Sequence, residues 1–164
     1  MKFGGTSVAD AAAFENVACI VAAEREASPV VVVSAMSGVT DGLLSATPSS
    51  LEPIFNRHLA VAKEFLDETE AGRFGDFVKR AEDQLRELLH AFEQSPSKRK
   101  LLQDAIISFG EILSSTLLAE ILNHYGVQAR QVDARRCVIT DDEHTCAAPL
   151  LNETFSARTT NCVR

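Results

Sequence analysis

The sequence predicts an α/β fold with a mainly parallel sheet and an inserted helical hairpin. Residues 2–3 and the valine run at residues 30–33 are short apolar segments of the kind that form strands. A helical segment separates them, which is the pattern of a right-handed βαβ unit. Two long amphipathic segments in the middle of the chain are typical of paired helices.

The βαβ unit contains the first four predicted elements. The strand at residues 2–3 runs directly into a Gly-Gly turn, and few residues precede it, so we expect a shortened strand. Residues 10–26 carry apolar side chains at helical spacing and end at a Ser-Pro pair, which predicts a helix. The valines at 30–33 show no polar alternation, so we expect a strand covered on both faces. A short helix is predicted to begin near Thr40.

The middle of the chain predicts four more helices. We place them at residues 54–70, 74–94, 98–109 and 112–125. The first two form the antiparallel hairpin, with its break expected near Gly72 and Gly75. The other two are expected to meet at Gly110 and Glu111, and Gly126 is the expected C-terminal stop.

The end of the chain is less regular. Residues 127–132 are predicted as a strand that ends at Asp133, and residues 153–164 as the start of a helix. An α/β fold would next need another strand. We therefore expect residues 1–164 to be part of a larger domain.

Composition narrows the partners and the compartment. The chain has 164 residues and a formal net charge of −7, which argues against nucleic acid or anionic membrane as the main partner. No uninterrupted apolar run approaches the ~20 residues of a membrane-spanning helix, and no signal peptide is recognisable. The 4 cysteines have no CxxC spacing, so we expect reduced thiols, no metal site and a cytoplasmic protein.

The first segment that carries chemistry follows the first strand. Lys2 precedes two glycines, Gly4 and Gly5, and the hydroxyl residues Thr6 and Ser7 come next. Two glycines after a strand let the backbone bend and present successive N–H groups, so the turn suits a phosphate, with the lysine ammonium beside it. The segment is neither a P-loop nor a GxGxxG motif. A plain turn without a ligand is the alternative.

The second segment, residues 34–40, lies at the carboxyl end of the second predicted strand. Ligands in open α/β sheets bind at that end of the strands. Ser34 and Thr40 could therefore share one pocket with the Gly-Gly turn. The alternative is that these hydroxyls only cap the next helix.

The third segment is centred on Glu111, between two apolar helical stretches. A carboxylate in such surroundings is costly unless it is paired. It could accept hydrogen bonds from the ammonium group of a substrate. A solvated glutamate at a helix start is the alternative.

Together the three segments resemble the conserved blocks of aspartate kinases, within the amino-acid kinase superfamily. The blocks read KFGGTSV at residues 2–8, VVSAMSGVTDGLL at 32–44 and SFGEILSSTLLAEIL at 108–122, in the family's order. The resemblance implies a three-layer αβα sandwich, the amino-acid kinase fold. Residues 1–164 would be the N-terminal portion of its catalytic domain, with no ACT regulatory domain.

The resemblance also implies a reaction, the transfer of the γ-phosphate of ATP to the side-chain carboxylate of L-aspartate. The product, 4-phospho-L-aspartate, leads to lysine, threonine and methionine. Mg²⁺ would arrive bound to the nucleotide, and the protein would be a homo-oligomer.

Site residues can be assigned by matching these blocks. The ATP- and phosphate-binding positions are Lys2, Gly4, Gly5, Thr6, Ser7 and Ser34. Lys2 matches the catalytic lysine that neutralises charge on the phosphoryl group. Thr40 and Glu111 match aspartate-binding positions, with Glu111 receiving the α-ammonium.

The sequence leaves two other functions open. The family's Gly-Arg-Gly-Gly-Ser-Asp block does not occur in these residues, so we expect no turnover by them alone. The chain could instead be a non-catalytic assembly or regulatory module that retains half of the kinase fold. It could also be a related kinase that acts on another carboxylate.

Overall fold

Two short parallel strands form the centre of the predicted βαβ unit. β1 (Lys2–Phe3) pairs with β2 (Val32–Val33), with Lys2 opposite Val32 and Phe3 opposite Val33. α1 (Ala11–Ala23) connects them, after a 3-10 turn at Gly5–Val8. The computed structural model describes residues 1–161, and within them the predicted order of strand, helix and parallel strand is confirmed.

The sheet is covered on one face only. Val33 is 8% exposed and belongs to the core, whereas Val32 is 54% and Val30 79% exposed. The expectation of a strand buried on both faces is therefore wrong for the described residues 1–161. In them, only one face of the sheet is packed against other parts of the chain. Because this sheet has two strands and the described chain is mostly helical, the three-layer sandwich stays an expectation.

The helical hairpin is present, but its break lies elsewhere. After the short helix α2 (Val39–Leu44), α3 (Glu52–Phe65) packs against α4 (Glu68–Gln94). The chain turns at Leu66, which is extended, and Asp67 begins α4 with a capping box that includes Glu70. Gly72 and Gly75, which were expected to mark the break, lie inside α4. The capping box fixes the start of the helix before them, and a glycine inside a helix weakens it without necessarily ending it.

The second helix pair provides much of the core. α5 (Arg99–Ile107) and α6 (Phe109–His124) join at Ser108, two residues before the expected junction. Residues Pro96–His124 are long and apolar enough to cross a membrane by composition alone. In this fold, however, Leu113, Leu117 and Ile121 of α6 are completely buried against other helices, so this is a core segment.

Gly126 ends α6 as predicted. Its φ is +75°, its N–H donates to the carbonyl of Asn123, and the N–H of Val127 donates to the carbonyl of Leu122. This is the Schellman pattern of helix termination, in which a glycine takes the left-handed conformation at little cost.

The strand predicted at residues 127–132 is absent from the described chain. The side chain of Asn123 bonds both the N–H and the carbonyl of Ala129 at 2.9 Å, as a neighbouring strand would. The hydrogen bonds that the strand prediction assigned to the sheet are therefore made, at Ala129, by an amide side chain. α7 (Leu151–Asn161) follows; residues 162–164 of its predicted range lie outside the described residues.

The cysteines are not all alike. Cys19 and Cys146 are free and exposed, as expected. Cys137 is disulfide-bonded, so the expectation of a reduced thiol is wrong for it. Sequence spacing does not report which sulfur atoms meet in space. Cys162 lies outside the described residues.

Candidate functional site

The Gly-Gly turn follows β1, and the hydroxyl groups next to it are available to a ligand. Gly4 is extended, and the N–H of Ser7 closes the turn by donating to the carbonyl of Gly4 at 3.0 Å. Val8 is completely buried and fixes the end of the turn. Within residues 1–161 the hydroxyls of Thr6 and Ser7 have no hydrogen-bond partner, so a ligand could bind them.

Lys2 lies beside this turn. Its side chain is exposed, and Nζ is 3.9 Å from the position that a Cβ would occupy on Gly4. It forms no ion pair with another described residue. An ammonium that is close to the turn and uncompensated by a carboxylate is suited to an anionic ligand.

The second segment touches the first directly. A Cβ on Gly5 would lie 3.0 Å from the carbonyl oxygen of Ala35 and 3.7 Å from the Cα of Ser37. A larger residue at position 5 would therefore push the two segments apart. The loops at the ends of the two neighbouring strands are therefore in contact, and that they share one ligand pocket stays a prediction.

The third segment meets the same loop from the other side. A Cβ on Gly110 would be 2.6 Å from the Cβ of Ala35, so α6 approaches this loop as closely as a glycine permits. The N–H of Ala35 donates to Oε1 of Glu111 at 3.4 Å. The hydroxyl of Ser114 donates to the carbonyl of Ser34 at 2.7 Å. Ala35 is thus the point where all three segments converge.

Glu111 is more accessible than its apolar flanks indicated. It is an exposed residue in the first turn of α6, and its Oε1 faces the N–H of Ala35. Oε2 has no partner within residues 1–161. The carboxylate therefore needs no buried countercharge, and it keeps an acceptor for a cationic group. Thr40 is half-buried and follows Val39, whose Cγ1 is 3.4 Å from the Cβ position of Gly110.

Arg57 is a contributor that the sequence did not single out. It lies on α3 and donates from Nη1 to the carbonyl of Ser37 at 2.8 Å and from Nη2 to the carbonyl of Ala9 at 3.0 Å. These carbonyls belong to the second segment and to the residue that directly follows the first. An exposed arginine on an amphipathic helix has no sequence pattern that distinguishes it from a solvated one.

Asp133 is held by Arg135, which lies in the 3-10 turn Ala134–Arg136 after α6. Its carboxylate accepts from the Arg135 guanidinium at 2.7 Å, and these hydrogen bonds lower the pKa of Asp133. Arg135 also donates to the hydroxyl of Ser108 and lies over the ring of Phe109. This pair ties the irregular segment after α6 to the start of that helix.

Two cavities lie away from the candidate site. A cleft of about 440 Å³ is lined by residues 96–101 and 142–144. A groove of about 110 Å³ lies between α2, α4 and α5. Neither contains a residue assigned to the site. Within the described residues no group of three or more His, Cys, Asp or Glu side chains could hold a metal ion.

Comparison with known proteins shows the family to which the chain is similar. The model of the amino acid kinase family matches residues 1–161. Aspartokinase 1 of Arabidopsis thaliana chloroplasts is 34% identical over 165 residues, a match that covers 96% of this chain and 29% of that protein.

Two solved structures of Escherichia coli aspartokinase III are also similar. The complex with lysine and aspartate (T-state) has a TM-score of 0.84 at 29% identity, and the complex with aspartate and ADP (R-state) has 0.82 at 28%. Each match covers 97% of this chain and 36% of the other. The chain thus spans about a third of the length of its relatives.

Proposed function

The chain belongs to the amino acid kinase family, and we propose that it forms the part of an aspartate kinase that binds the reacting phosphate and L-aspartate. In this reaction a side-chain carboxylate oxygen of L-aspartate attacks the γ-phosphorus of ATP. The bond from that phosphorus to the β–γ bridging oxygen breaks, which gives ADP and 4-phospho-L-aspartate. The observation that carries the proposal is the convergence on Ala35 of three segments far apart in the sequence.

The phosphate side of the proposed site is the Gly-Gly turn. Phosphoryl transfer needs aligned reactants and stabilised charge rather than covalent help from the protein. Lys2 would neutralise the transferring phosphoryl group, because its ammonium is beside the turn and unpaired. The N–H groups of Gly4 and Gly5 and the hydroxyls of Thr6 and Ser7 would bind phosphate oxygens. Ser34 would contact the nucleotide from the neighbouring loop.

The aspartate side is the junction of α2 and α6. Oε2 of Glu111 would accept the α-ammonium of the substrate, while Oε1 stays on the N–H of Ala35. Thr40 would donate a hydrogen bond to a substrate carboxylate. Two anionic reactants repel each other, so a cation on one side and an ammonium acceptor on the other would orient aspartate toward the phosphate.

Mg²⁺ enters the proposal as a companion of the nucleotide. Because the described residues offer no set of three metal ligands, the phosphate oxygens of ATP would hold the ion. When bound it would neutralise charge on the β- and γ-phosphates. The residues of this chain would bind and orient the complex around it.

Three wider features are proposals as well. The amino-acid kinase fold would cover the exposed sheet face at Val30 and Val32 with a further layer. The protein would act as a homo-oligomer, and we propose the cytoplasm as its location. Two soluble substrates require no membrane or nucleic acid partner.

Ligand-dependent stability and substrate-dependent turnover test the function. We expect Mg·ATP and L-aspartate each to raise the Tm, because a ligand that binds only the native state stabilises it. We expect ADP formation to depend on L-aspartate in the protein that carries this chain. L-asparagine, which lacks the accepting carboxylate, is the control. No Tm shift and no aspartate-dependent ADP would contradict the proposal and favour the assembly module. ADP formation with another carboxylate instead would favour a related kinase.

A further inference from the structure

Arg57 connects the two halves of the candidate site without lying in either. Its two terminal nitrogens donate to the carbonyls of Ser37 and Ala9 at 2.8 and 3.0 Å. Ala9 closes the 3-10 turn Gly5–Val8, which continues from the phosphate turn. Ser37 precedes Gly38, the left-handed residue from which α2 and Thr40 begin. One side chain therefore spans the segments proposed for phosphate and for aspartate.

The part of α3 that carries Arg57 is packed into the core. The next residue along α3, His58, is completely buried, and its Nδ1–H donates to the carbonyl of Ile54 at 2.8 Å. Cδ1 of Ile54 is itself 3.4 Å from the Cβ position of Gly42 in α2. This turn of α3 is thus packed in the core and against α2, so the backbone that carries Arg57 is anchored outside the Gly-Gly turn and the loop at Ser37.

Guanidinium chemistry suits the task. Its planar fork holds two acceptors at a fixed separation, whereas an ammonium is a single point of donation. Backbone carbonyls are the acceptors here, so the bridge sets main-chain positions rather than the conformation of one side chain. The alternative is an exposed arginine whose hydrogen bonds contribute little.

We infer that Arg57 is a positioning residue that sets the separation between the phosphate turn and the aspartate-binding segment. The inference rests on the proposed function. An error of about 1 Å between two bound reactants can cost ~10²-fold in rate. Loss of the bridge should therefore reduce kcat, while the KM values for ATP and aspartate change little because each ligand keeps its own contacts.

Three variants test this role. Arg57→Met removes the donors and keeps most of the stem, and Arg57→Lys keeps the charge on a single nitrogen. Arg80→Met on α4 is the matched control, since Arg80 is exposed and makes no hydrogen bond or ion pair with another described residue. The wild type and the three variants are measured at a temperature well below the Tm of each, so that all of them are folded.

The first measurement is amide hydrogen exchange, which needs no activity. We expect Arg57→Met to speed exchange in residues 4–9 and 34–38 only, and Arg80→Met to leave both segments unchanged. Unchanged exchange in the Arg57 variant would overturn the inference. Faster exchange throughout the core would also overturn it, because that result indicates a general structural role.

The second measurement is steady-state kinetics. We expect kcat to fall about tenfold or more in Arg57→Met, with partial recovery in Arg57→Lys and no change in Arg80→Met. Equal kcat in wild type and Arg57→Met would overturn the inference while the proposed function stands. If the wild type shows neither turnover nor ligand binding, the proposed function fails, and the catalytic part of the inference fails with it.

Discussion

At the scale of single residues, the candidate site contains a lysine and a glutamate that do not form an ion pair with each other. Lys2 is beside the Gly-Gly turn with no carboxylate partner in the described chain, and Glu111 faces the N–H of Ala35. Neither group is neutralised by the other. Each is therefore available to a substrate of opposite charge, and the two can be tested independently.

Replacing the cation should slow the chemical step. We expect Lys2→Ala to reduce aspartate-dependent ADP formation by ~10²-fold or more, the usual cost of losing one preorganised charge-stabilising group. Lys79→Ala, an exposed lysine of α4 with no partner within residues 1–161, is the control and should keep normal turnover. Near-normal turnover in Lys2→Ala would reject the role of Lys2.

Replacing the anion should weaken one substrate only. Glu111→Gln keeps an oxygen for the N–H of Ala35 but removes the charge that would receive the α-ammonium. We expect the KM for L-aspartate to rise about tenfold, in line with the loss of a charged hydrogen bond. The KM for ATP and the Tm should not change. An unaltered KM for aspartate would remove Glu111 from the binding site.

At the scale of elements, α6 and the loop after β2 can come into contact because Gly110 has no side chain. Gly110 allows the backbone of α6 to reach Ala35, and Ser114 then bonds the carbonyl of Ser34. This approach also brings Glu111 to the loop. The packing of one helix thereby determines the position of the residue proposed to bind aspartate.

A methyl group at this contact should be destabilising. In Gly110→Ala the new Cβ would lie 2.6 Å from that of Ala35, so the helix or the loop must move. We expect a loss of about 1–3 kcal/mol in the free energy of unfolding, measured by urea denaturation.

Gly72→Ala provides the contrast. Gly72 is inside α4 with nothing within 4 Å of its Cβ position. Alanine there should stabilise the protein by about 1 kcal/mol, because it favours the helix more than glycine does. Equal effects of the two substitutions would show that the close approach at Gly110 does not exist in solution.

At the scale of the whole molecule, one buried histidine couples stability to pH. Burial lowers the pKa of His58 from 6.5 to about 4. The hydrogen bond to Ile54 opposes this shift, and the positive charge of Arg57 adds a smaller lowering. Nδ1 carries the proton that Ile54 accepts, and Nε2 is buried without a partner in the described residues. A second proton would therefore place an unpaired charge inside the core.

Acid should destabilise the fold through this residue. Between pH 6.5 and about 4 the unfolded state binds the proton more readily, so the free energy of unfolding falls as the pH falls. The loss should approach roughly 3 kcal/mol below pH 4 and be absent above pH 6.5. Urea denaturation at several pH values measures it. His58→Leu should show a smaller loss over the same interval, and an equal loss would contradict the assignment.

The sequence by itself determined the βαβ order, the helix stop at Gly126 and the positions of the three segments proposed to bind ligand, because glycine geometry and apolar periodicity are local properties. The Asn123 side chain at residue 129 and the capping box at Asp67 act over six and three residues, so these local contacts changed elements that apolar periodicity does not resolve. Tertiary structure alone decided the contacts between distant segments. Arg57 bonds the backbone of two loops 28 residues apart, and α6 meets the loop after β2 at Ala35. Which polar groups meet across such distances depends on the fold, so a single sequence does not show their pairing.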